Sequence, residues 1–338
     1  MGAQIRLAAV QAEPVWLDAD ATVDKTIDII REASARGVDL LVFPETWIPG
    51  YPVFLWSLSV PDQAPFVARY HANSLTVDGA QMRRIREAVR SAGLTVVIGY
   101  SEKSHGTLYI AQTAIGPSGE VLLHRRKLKP THAERTLFGE SDGSHLAVVD
   151  TPLGRLGALN CWEHLQPLTK FAMYSQNEQL HAAGWPCFGV LGRVPQLSPE
   201  ANLAATRTYA LEGGCFVVAS TQIMSEEGIR TFTGPDGAVP SIYNGGGGFA
   251  TIFGPDSSLL SSPLDEHVEG IVTADAELSL IDLAKNAADP SGHYSRPDVT
   301  RLLFDNRPRR VVEGAGTFGT EASFPELGDE AEQREVRA

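Results

Sequence analysis

Gly154-Arg-Leu-Gly-Ala-Leu-Asn-Cys-Trp-Glu-His-Leu-Gln-Pro-Leu168 is the stretch on which the reading of this chain turns. An apolar, strand-like run at 156–159 ends at a lone cysteine, Cys161, and a helix-like stretch follows. A thiol there stands at the carboxyl end of a core strand, where the positive end of a helix dipole favours the thiolate. Two other segments repeat the arrangement with different chemistry. Leu40-Leu-Val-Phe-Pro-Glu45 delivers a carboxylate at a strand end, and His124-Arg-Arg-Lys-Leu-Lys-Pro130 delivers Lys127 just after another. Cysteine, glutamate and lysine at three strand ends point to covalent catalysis more than to packing.

Working outward, a short strand carries Ile5, Leu7 and Ala9, and Val23, Ile27, Ile30 and Ala33 fall at helical spacing before Gly37. Met82, Ile85 and Val89 mark a second helix stopped by Gly93, and 95–99 is a strand. A hairpin follows: 108–115, a Gly-Pro-Ser-Gly turn at 116–119, then 121–124. The second half echoes the first. Strand 156–160 leads into a helix over 167–178. Leu203, Arg207, Ala210 and Leu211 fall in a further helix ended by Gly213-Gly214, and 215–220 is a strand. Residues 249–253, a Gly-Pro-Asp-Ser turn at 254–257 and Leu259-Leu260 resemble the earlier hairpin. Two such α/β halves bury their strands on both faces when two sheets pack together with helices outside. We read residues 1–305 as that one domain and 306–338, rich in Gly, Glu and Ala without sustained period, as a loosely ordered tail.

With 338 residues and 43% hydrophobic content, the chain is long enough for a large core. A net charge of −13 argues against nucleic acid or anionic membrane as partners. No apolar run approaches the roughly 20 residues needed to span a bilayer, and the N-terminus enters a strand with no signal-like apolar region. Three widely spaced cysteines give neither a disulfide framework nor a zinc pattern, which fits a reducing cytoplasm. His132, His145, His164 and His181 show no metal spacing.

Each candidate has a bland alternative. Cys161 alone reads equally well as a small core residue, as Cys187 and Cys215 do. Glu45 is followed by Thr46-Trp-Ile-Pro-Gly-Tyr-Pro-Val-Phe-Leu-Trp56, an aromatic surround that favours a pocket over a surface loop. In such a pocket its pKa rises, and it can accept a thiol proton. Lys127 sits in a basic run that ordinarily reads as a solvated face. Thr131-His-Ala-Glu-Arg135 follows, however, so Glu134 can hold the ammonium where it stabilises developing negative charge. Gly139-Glu-Ser-Asp-Gly143 lacks a nucleophile-elbow strand before it. Gly314-Ala-Gly-Thr-Phe-Gly319 lies in the tail, and the glycines at 245–248 have no phosphate-binding lysine.

With Phe-Pro-Glu45, Arg-Arg-Lys127-Leu-Lys-Pro-Thr-His-Ala-Glu134-Arg and Leu-Asn-Cys161-Trp-Glu-His in this order, and Gly292-His-Tyr-Ser-Arg-Pro-Asp298 beyond, the chain resembles the nitrilase branch of the carbon–nitrogen hydrolase superfamily from about Ile5 to Phe304. The resemblance implies an α-β-β-α sandwich, no metal or organic cofactor, and a nitrile substrate. It also implies a homodimer paired through the helices after Cys161, with assembly into larger spirals. In the implied chemistry Glu45 takes the proton of Cys161, the sulfur attacks the nitrile carbon, and Lys127 with the Trp162 backbone N–H stabilises charge on the nitrogen. Glu134 orients Lys127. Tyr51, Trp56, Trp162, Trp185 and Phe188 are candidate substrate contacts. A cyanide-degrading enzyme, an amidase or N-carbamoyl hydrolase with the same triad, and a non-catalytic binding module remain alternatives.

Overall fold

β1 (Gln4–Ala12) is buried almost throughout from Leu7 on, because it is a central strand with neighbours on both edges. β11 (Gly270–Glu277) pairs it antiparallel along one edge and β2 (Leu40–Val42) parallel along the other. β3 (Thr95–Ser104), β4 (Thr107–Ile115) and β5 (Val121–Arg126) continue outward from β2. In the second half β9 (Phe216–Gln222) is central, flanked by β8 (Leu180–Trp185), β7 (Gly154–Asn160) and β6 (Val149–Thr151), with β10 (Thr251–Phe253) paired to it. The computed structural model describes residues 4–187, 194–234, 237, 239 and 242–309. One compact unit spans Met1–Arg307. The reading of 306–338 as a loose tail falls, beyond Arg309, outside the described residues.

The layers follow from the two-residue period of the strands. One face of the first half, with Val96, Ile98 and Phe43, packs under α1 (Ala19–Ala35) and α3 (Ala80–Ala92). Its other face, with Leu7, Leu40, Val42 and Val97, meets Ala158, Leu180, Ala182, Phe216 and Val218 of the second half. The alternate residues Leu159, Ala183, Val217 and Ala219 face α4 (Pro167–Tyr174) and α5 (Pro199–Gly213). The fold is therefore α/β, four layers deep in the order α-β-β-α. Each fully buried Leu, Val, Ile or Phe in these layers contributes about 1.5–3 kcal/mol relative to exposure. The halves are also joined edge to edge. Gln11 and Ala12 of β1 pair with Thr221 and Gln222 of β9, so the two layers form one folded sheet rather than two separate ones.

Local signals set the helix ends. Asp18 caps α1 by accepting the Ala21 N–H at 3.0 Å, and Gly93, at φ +70°, closes α3. The sequence expectation differs from the structure in several places. α2 (Val60–Ala72) was not foreseen, because prolines at 61 and 65 blur its period. β11 was missed for want of an apolar run. The helix after Cys161 stops at Tyr174, not at 178. Ser175 and Asn177 are weak helix formers, and Asn177 turns left-handed at φ +57°. α6 (Glu226–Thr231) and α7 (Ser279–Ala287) complete the described helices.

Candidate active site

Three loops leave the carboxyl ends of β2, β5 and β7 and converge. After β2 the chain passes through Phe43 and Pro44 to Glu45 and turns at Thr46, whose φ is +45°. This sharp turn needs room. A Cβ on Gly99 of β3 would sit 2.1 Å from the Pro44 carbonyl oxygen. One on Gly184 of β8 would sit 3.0 Å from the Glu45 nitrogen and 2.8 Å from Asn160 Oδ1, so a glycine there lets the two loops approach. Gln222, at the end of β9, donates to the Glu45 carbonyl at 2.6 Å and accepts the Tyr51 N–H at 3.1 Å.

Lys127 follows β5 directly and is 1% exposed. Its Nζ donates to Glu45 Oε1 at 2.7 Å and to Glu134 Oε2 at 2.8 Å. Glu134 lies in a single 3-10 turn over His132–Thr136 and also accepts the Thr131 N–H at 2.7 Å. Tyr51 donates to Glu134 Oε1 at 2.9 Å, and Trp56 Nε1 donates to the Tyr51 hydroxyl at 3.1 Å. The Trp56 ring stacks on His132 with centroids 5.0 Å apart. Glu134 is thus saturated. Glu45 Oε2 is buried with no hydrogen-bond partner.

Two buried carboxylates share one ammonium. Burial pushes Glu45 up, Lys127 pulls it back, Glu134 raises it again, and the carboxyl settles at about 8. Burial alone would lower Lys127, but Glu134 and Glu45 together hold the ammonium above its usual range. Burial also keeps Tyr51 a neutral donor, well above the phenol range.

Cys161 opens a 3-10 turn over Cys161–Leu165 with φ +47°, a left-handed backbone unusual for a residue with a side chain. Its thiol is pushed well above the ordinary cysteine range. Burial is the chief cause and the charge of Glu45 the next, against the pull of Lys127 and the Trp162 N–H. The helix terminus expected to favour the thiolate is instead a 3-10 turn, too short to add up to a helix dipole, and burial outweighs it. Burial favours the thiol form, which agrees with the expectation that a neighbouring base takes the proton.

Of the five candidate contacts, Tyr51 and Trp56 adjoin Glu134. Trp162 is half-buried beside Cys161, with Nε1 donating to Asn202 at 2.9 Å. Trp185 is fully buried and stacks on His164 at 4.9 Å. Phe188 lies outside the described residues. A groove of about 790 Å³ between α1 and α3 takes no residue from the Glu45, Lys127 and Cys161 cluster.

A second buried ion cluster escaped the sequence reading. Arg125 Nη2 donates to both oxygens of Glu163 at 2.7 and 2.9 Å, and Nη1 donates to Gln112 Oε1 at 2.7 Å. Glu163 also accepts the Leu128 N–H at 2.9 Å and the Asn160 N–H at 2.8 Å, so it ties the lysine loop to the cysteine turn. Asn160-Cys-Trp-Glu163 has the spacing of a capping box, and that was the available signal.

The carbon-nitrogen hydrolase family model matches residues 6–286. A nitrilase from Pseudomonas syringae pv. syringae is 54% identical, with 91% of this chain and 92% of that one aligned. An aliphatic nitrilase from Rhodococcus rhodochrous is 51% identical over 92% and 85%, and an arylacetonitrilase from Aspergillus kawachii is 45% identical over 96% and 100%. A solved carbon-nitrogen hydrolase from Helicobacter pylori G27 shares the fold at TM-score 0.70 and 16% identity, covering 89% of this chain and 100% of that one. An architecture of four layers, a buried Glu-Lys-Cys cluster and identities near one half agree with one another: the chain belongs to the carbon–nitrogen hydrolase family and, within it, to the nitrilases.

Proposed function

We propose that this chain hydrolyses organic nitriles to a carboxylic acid and ammonia, with Glu45, Lys127, Cys161 and Glu134 as its catalytic group. The observation that carries the reading is the buried Glu45 Oε2, which lacks a hydrogen bond while Oε1 is held by Lys127. Glu45 accepts the Cys161 proton as sulfur bonds to the nitrile carbon. One carbon–nitrogen π bond breaks toward nitrogen, which takes the proton back, giving a thioimidate. Lys127 and the Trp162 N–H face the charge that develops on nitrogen. Water, deprotonated by Glu45, adds to the thioimidate carbon. The carbon–nitrogen bond then breaks and ammonia leaves a thioester, which a second water cleaves to the acid and free thiol. Water addition to a nitrile needs a base at each of these steps, and a carboxyl poised near neutrality suits it.

Tyr51, Trp56, Trp162 and Trp185 are proposed to border the substrate, and the aromatic loop at 46–56 tilts the preference toward aryl or arylacetonitriles. Both relatives named for aliphatic nitriles and relatives named for arylacetonitriles resemble the chain, so a nitrile panel with ammonia readout decides the preference. The reading rests on the nucleophile. Cys161→Ala should abolish ammonia release while the fold persists, and mass spectrometry of enzyme quenched in turnover should show an adduct on Cys161. An active Cys161→Ala enzyme, or an adduct only on Cys187 or Cys215, overturns it.

Domain limits of 1–305 and 306–338, a cytoplasmic location and a homodimer that extends into spirals belong to the same proposal. No helix among the described residues is long and apolar enough to cross a membrane. The dimer contact is drawn through α4. Tyr174 of that helix points inward, its ring 4.9 Å from Tyr209 and its hydroxyl 3.2 Å from Glu212, so a charge there would disturb the protomer's own core and not a contact between copies. Leu168, 69% exposed, is the residue that presents α4 to a second copy. Leu168→Asp should shrink the particles seen by light scattering, and unchanged particle size would remove α4 from the contact.

A further inference from the structure

Cys161 holds a left-handed backbone, and such conformations persist where the surroundings over-determine them. Glu163 grips the Asn160 N–H and Gln112 Nε2 donates to the Leu159 carbonyl at 3.2 Å, fixing the peptide before the turn. The peptide after Cys161 is held differently. His164 Nδ1 lies 2.6 Å from the Cys161 carbonyl oxygen. Behind it, His164 Nε2 lies 2.9 Å from His181 Nε2, and His181 Nδ1 lies 2.7 Å from Glu178 Oε1. Tyr209 donates to Glu178 Oε2 at 2.6 Å. His164, His181, Glu178 and Tyr209 are each at most 1% exposed, and the hydrolytic steps above use none of them.

Counting donors fixes the protons of this chain. A carbonyl oxygen only accepts, so His164 carries a proton on Nδ1. The contact between the two Nε2 atoms needs one proton, and the contact to Glu178 needs another. Two neutral imidazoles supply two of the three. The third lies between His181 Nδ1 and Glu178 Oε1 and leaves that pair neutral as a unit, which removes the cost of an unpaired buried charge. Burial, reinforced by the charge of His181, holds His164 well below the usual histidine range and keeps its ring neutral.

The Cys161 carbonyl and the Trp162 N–H are opposite ends of one planar trans peptide. The Trp162 N–H favours the anionic form of the Cys161 sulfur, against the effect of burial. Gripping the oxygen from one side aims the N–H at the other. A hydrogen bond on the carbonyl also polarises the amide and strengthens its N–H as a donor. We propose that His164, backed by His181, Glu178 and Tyr209, is a positioning residue that locks the Cys161–Trp162 peptide so that its N–H meets the anionic atom formed from the substrate. This rests on the reading of the Trp162 N–H as an anion-stabilising donor.

A matched pair of amides tests it. In His164→Asn the side-chain NH₂ takes the place of Nδ1, keeping the donor to the carbonyl and losing His181. In His164→Gln the side-chain oxygen takes the place of the accepting Nε2, keeping the bond from His181 and losing the carbonyl. Removing one such donor ordinarily lowers kcat about 10²–10³-fold, so His164→Gln should lose about 10²-fold in kcat with KM nearly unchanged. His164→Asn should stay within about tenfold of the parent enzyme, because the carbonyl bond survives and only its polarisation is lost. Equal losses in the two variants, a loss confined to KM, or an unaffected His164→Gln overturns the proposal. Where His164→Gln does not fold, Glu178→Gln carries the test, since it keeps the volume beside the rings and replaces one of the two accepting oxygens behind His181 with an amide NH₂. It should lower kcat several-fold at constant KM, and an unchanged kcat overturns the proposal. Failure here leaves nitrile hydrolysis standing, whereas an active Cys161→Ala enzyme removes the reading beneath it.

Discussion

Arg125 and Lys127 are two residues apart, both essentially without exposure, and both paired with carboxylates, yet they do opposite things. Around Arg125 every guanidinium nitrogen has a partner. Its guanidinium spans both oxygens of Glu163, reaches Gln112 and donates through Nε to the His145 carbonyl at 3.2 Å, while backbone N–H groups fill the remaining sites on Glu163. Around Lys127 the accounting is uneven. Glu134 is filled by Lys127, Tyr51 and Thr131, and Glu45 keeps one oxygen without a partner. A saturated buried ion cluster fixes geometry, since any movement breaks several bonds at once. A cluster with one open acceptor beside a thiol is a base waiting for a proton. Burial is alike in the two clusters; the difference lies in the hydrogen-bond count and in the second carboxylate that shares Lys127.

The contrast inside the lysine cluster gives the largest expected effect. Glu45→Gln keeps the volume and removes the open acceptor, so turnover should fall about 10²–10⁴-fold, and further where one group serves several steps. Glu134→Gln should be less severe. It leaves the base in place and disturbs only the seat of Lys127, and impaired expulsion of ammonia should let some product leave as amide. Steady-state ammonia release with amide quantified beside it separates the two. Near-normal, equal rates would dissolve the distinction between the open and the filled carboxylate.

The arginine cluster should fail by unfolding first. Arg125→Met strips Glu163 of its bidentate partner and leaves a buried carboxylate on two backbone N–H groups. Breaking a buried pair from one side costs about 3–5 kcal/mol. Glu163→Gln breaks the same pair from the other side and leaves Arg125 as the unpaired buried charge, so its cost should be of the same order, about 3–5 kcal/mol. Urea unfolding measures both. A midpoint for Arg125→Met equal to that of the parent chain would mean that saturation confers no rigidity here.

The two clusters were not equally legible in the sequence. Glu45, Lys127 and Cys161 each stand just past an apolar run, and polar residues at strand ends in an α/β chain draw attention. Glu134 followed from its spacing to Lys127. Arg125 was hidden in plain view, since Arg125-Arg-Lys-Leu-Lys129 reads as a solvated face. In the structure Arg125 and Lys127 turn inward and Arg126 is drawn to Glu102 at 2.6 Å, a strand alternation that composition cannot show. The histidines at 164 and 181 gave no pattern because β8 lies beside β7 only through a long connection. The four layers were foreseeable from apolar runs, whereas the edge pairing of β1 with β9 rests on just two residues of each strand. The helix-dipole support for the thiolate is weaker than the sequence suggests for a local reason: a short turn in a buried site does not offset the desolvation of a sulfur anion.

The smallest effect concerns pH, and it ties the open carboxylate to both rate and stability. Glu45 acts as a base only when deprotonated, and burial has pushed it up to about 8. The Cys161 thiol is pushed up too, so it does not titrate lower down and mask Glu45. The fraction of active base therefore grows about tenfold per unit as pH rises toward 8 and levels beyond it, and kcat/KM for a neutral nitrile should follow. Stability runs the other way. The folded chain binds the Glu45 proton more tightly than the unfolded one, whose carboxyl titrates near 4.5. The contribution of this group is fully present below 4.5 and is lost as pH climbs through about 8. Glu45→Gln has no such proton to lose, so its melting temperature relative to the parent chain should improve across that window. Lys127, Glu134 and Glu163 face Glu45 in both proteins and remain in the comparison. A kcat/KM that stays flat between pH 6 and 8, with no relative gain in stability for Glu45→Gln, would show that Glu45 is already ionised in the resting site and that the open oxygen is not a poised base.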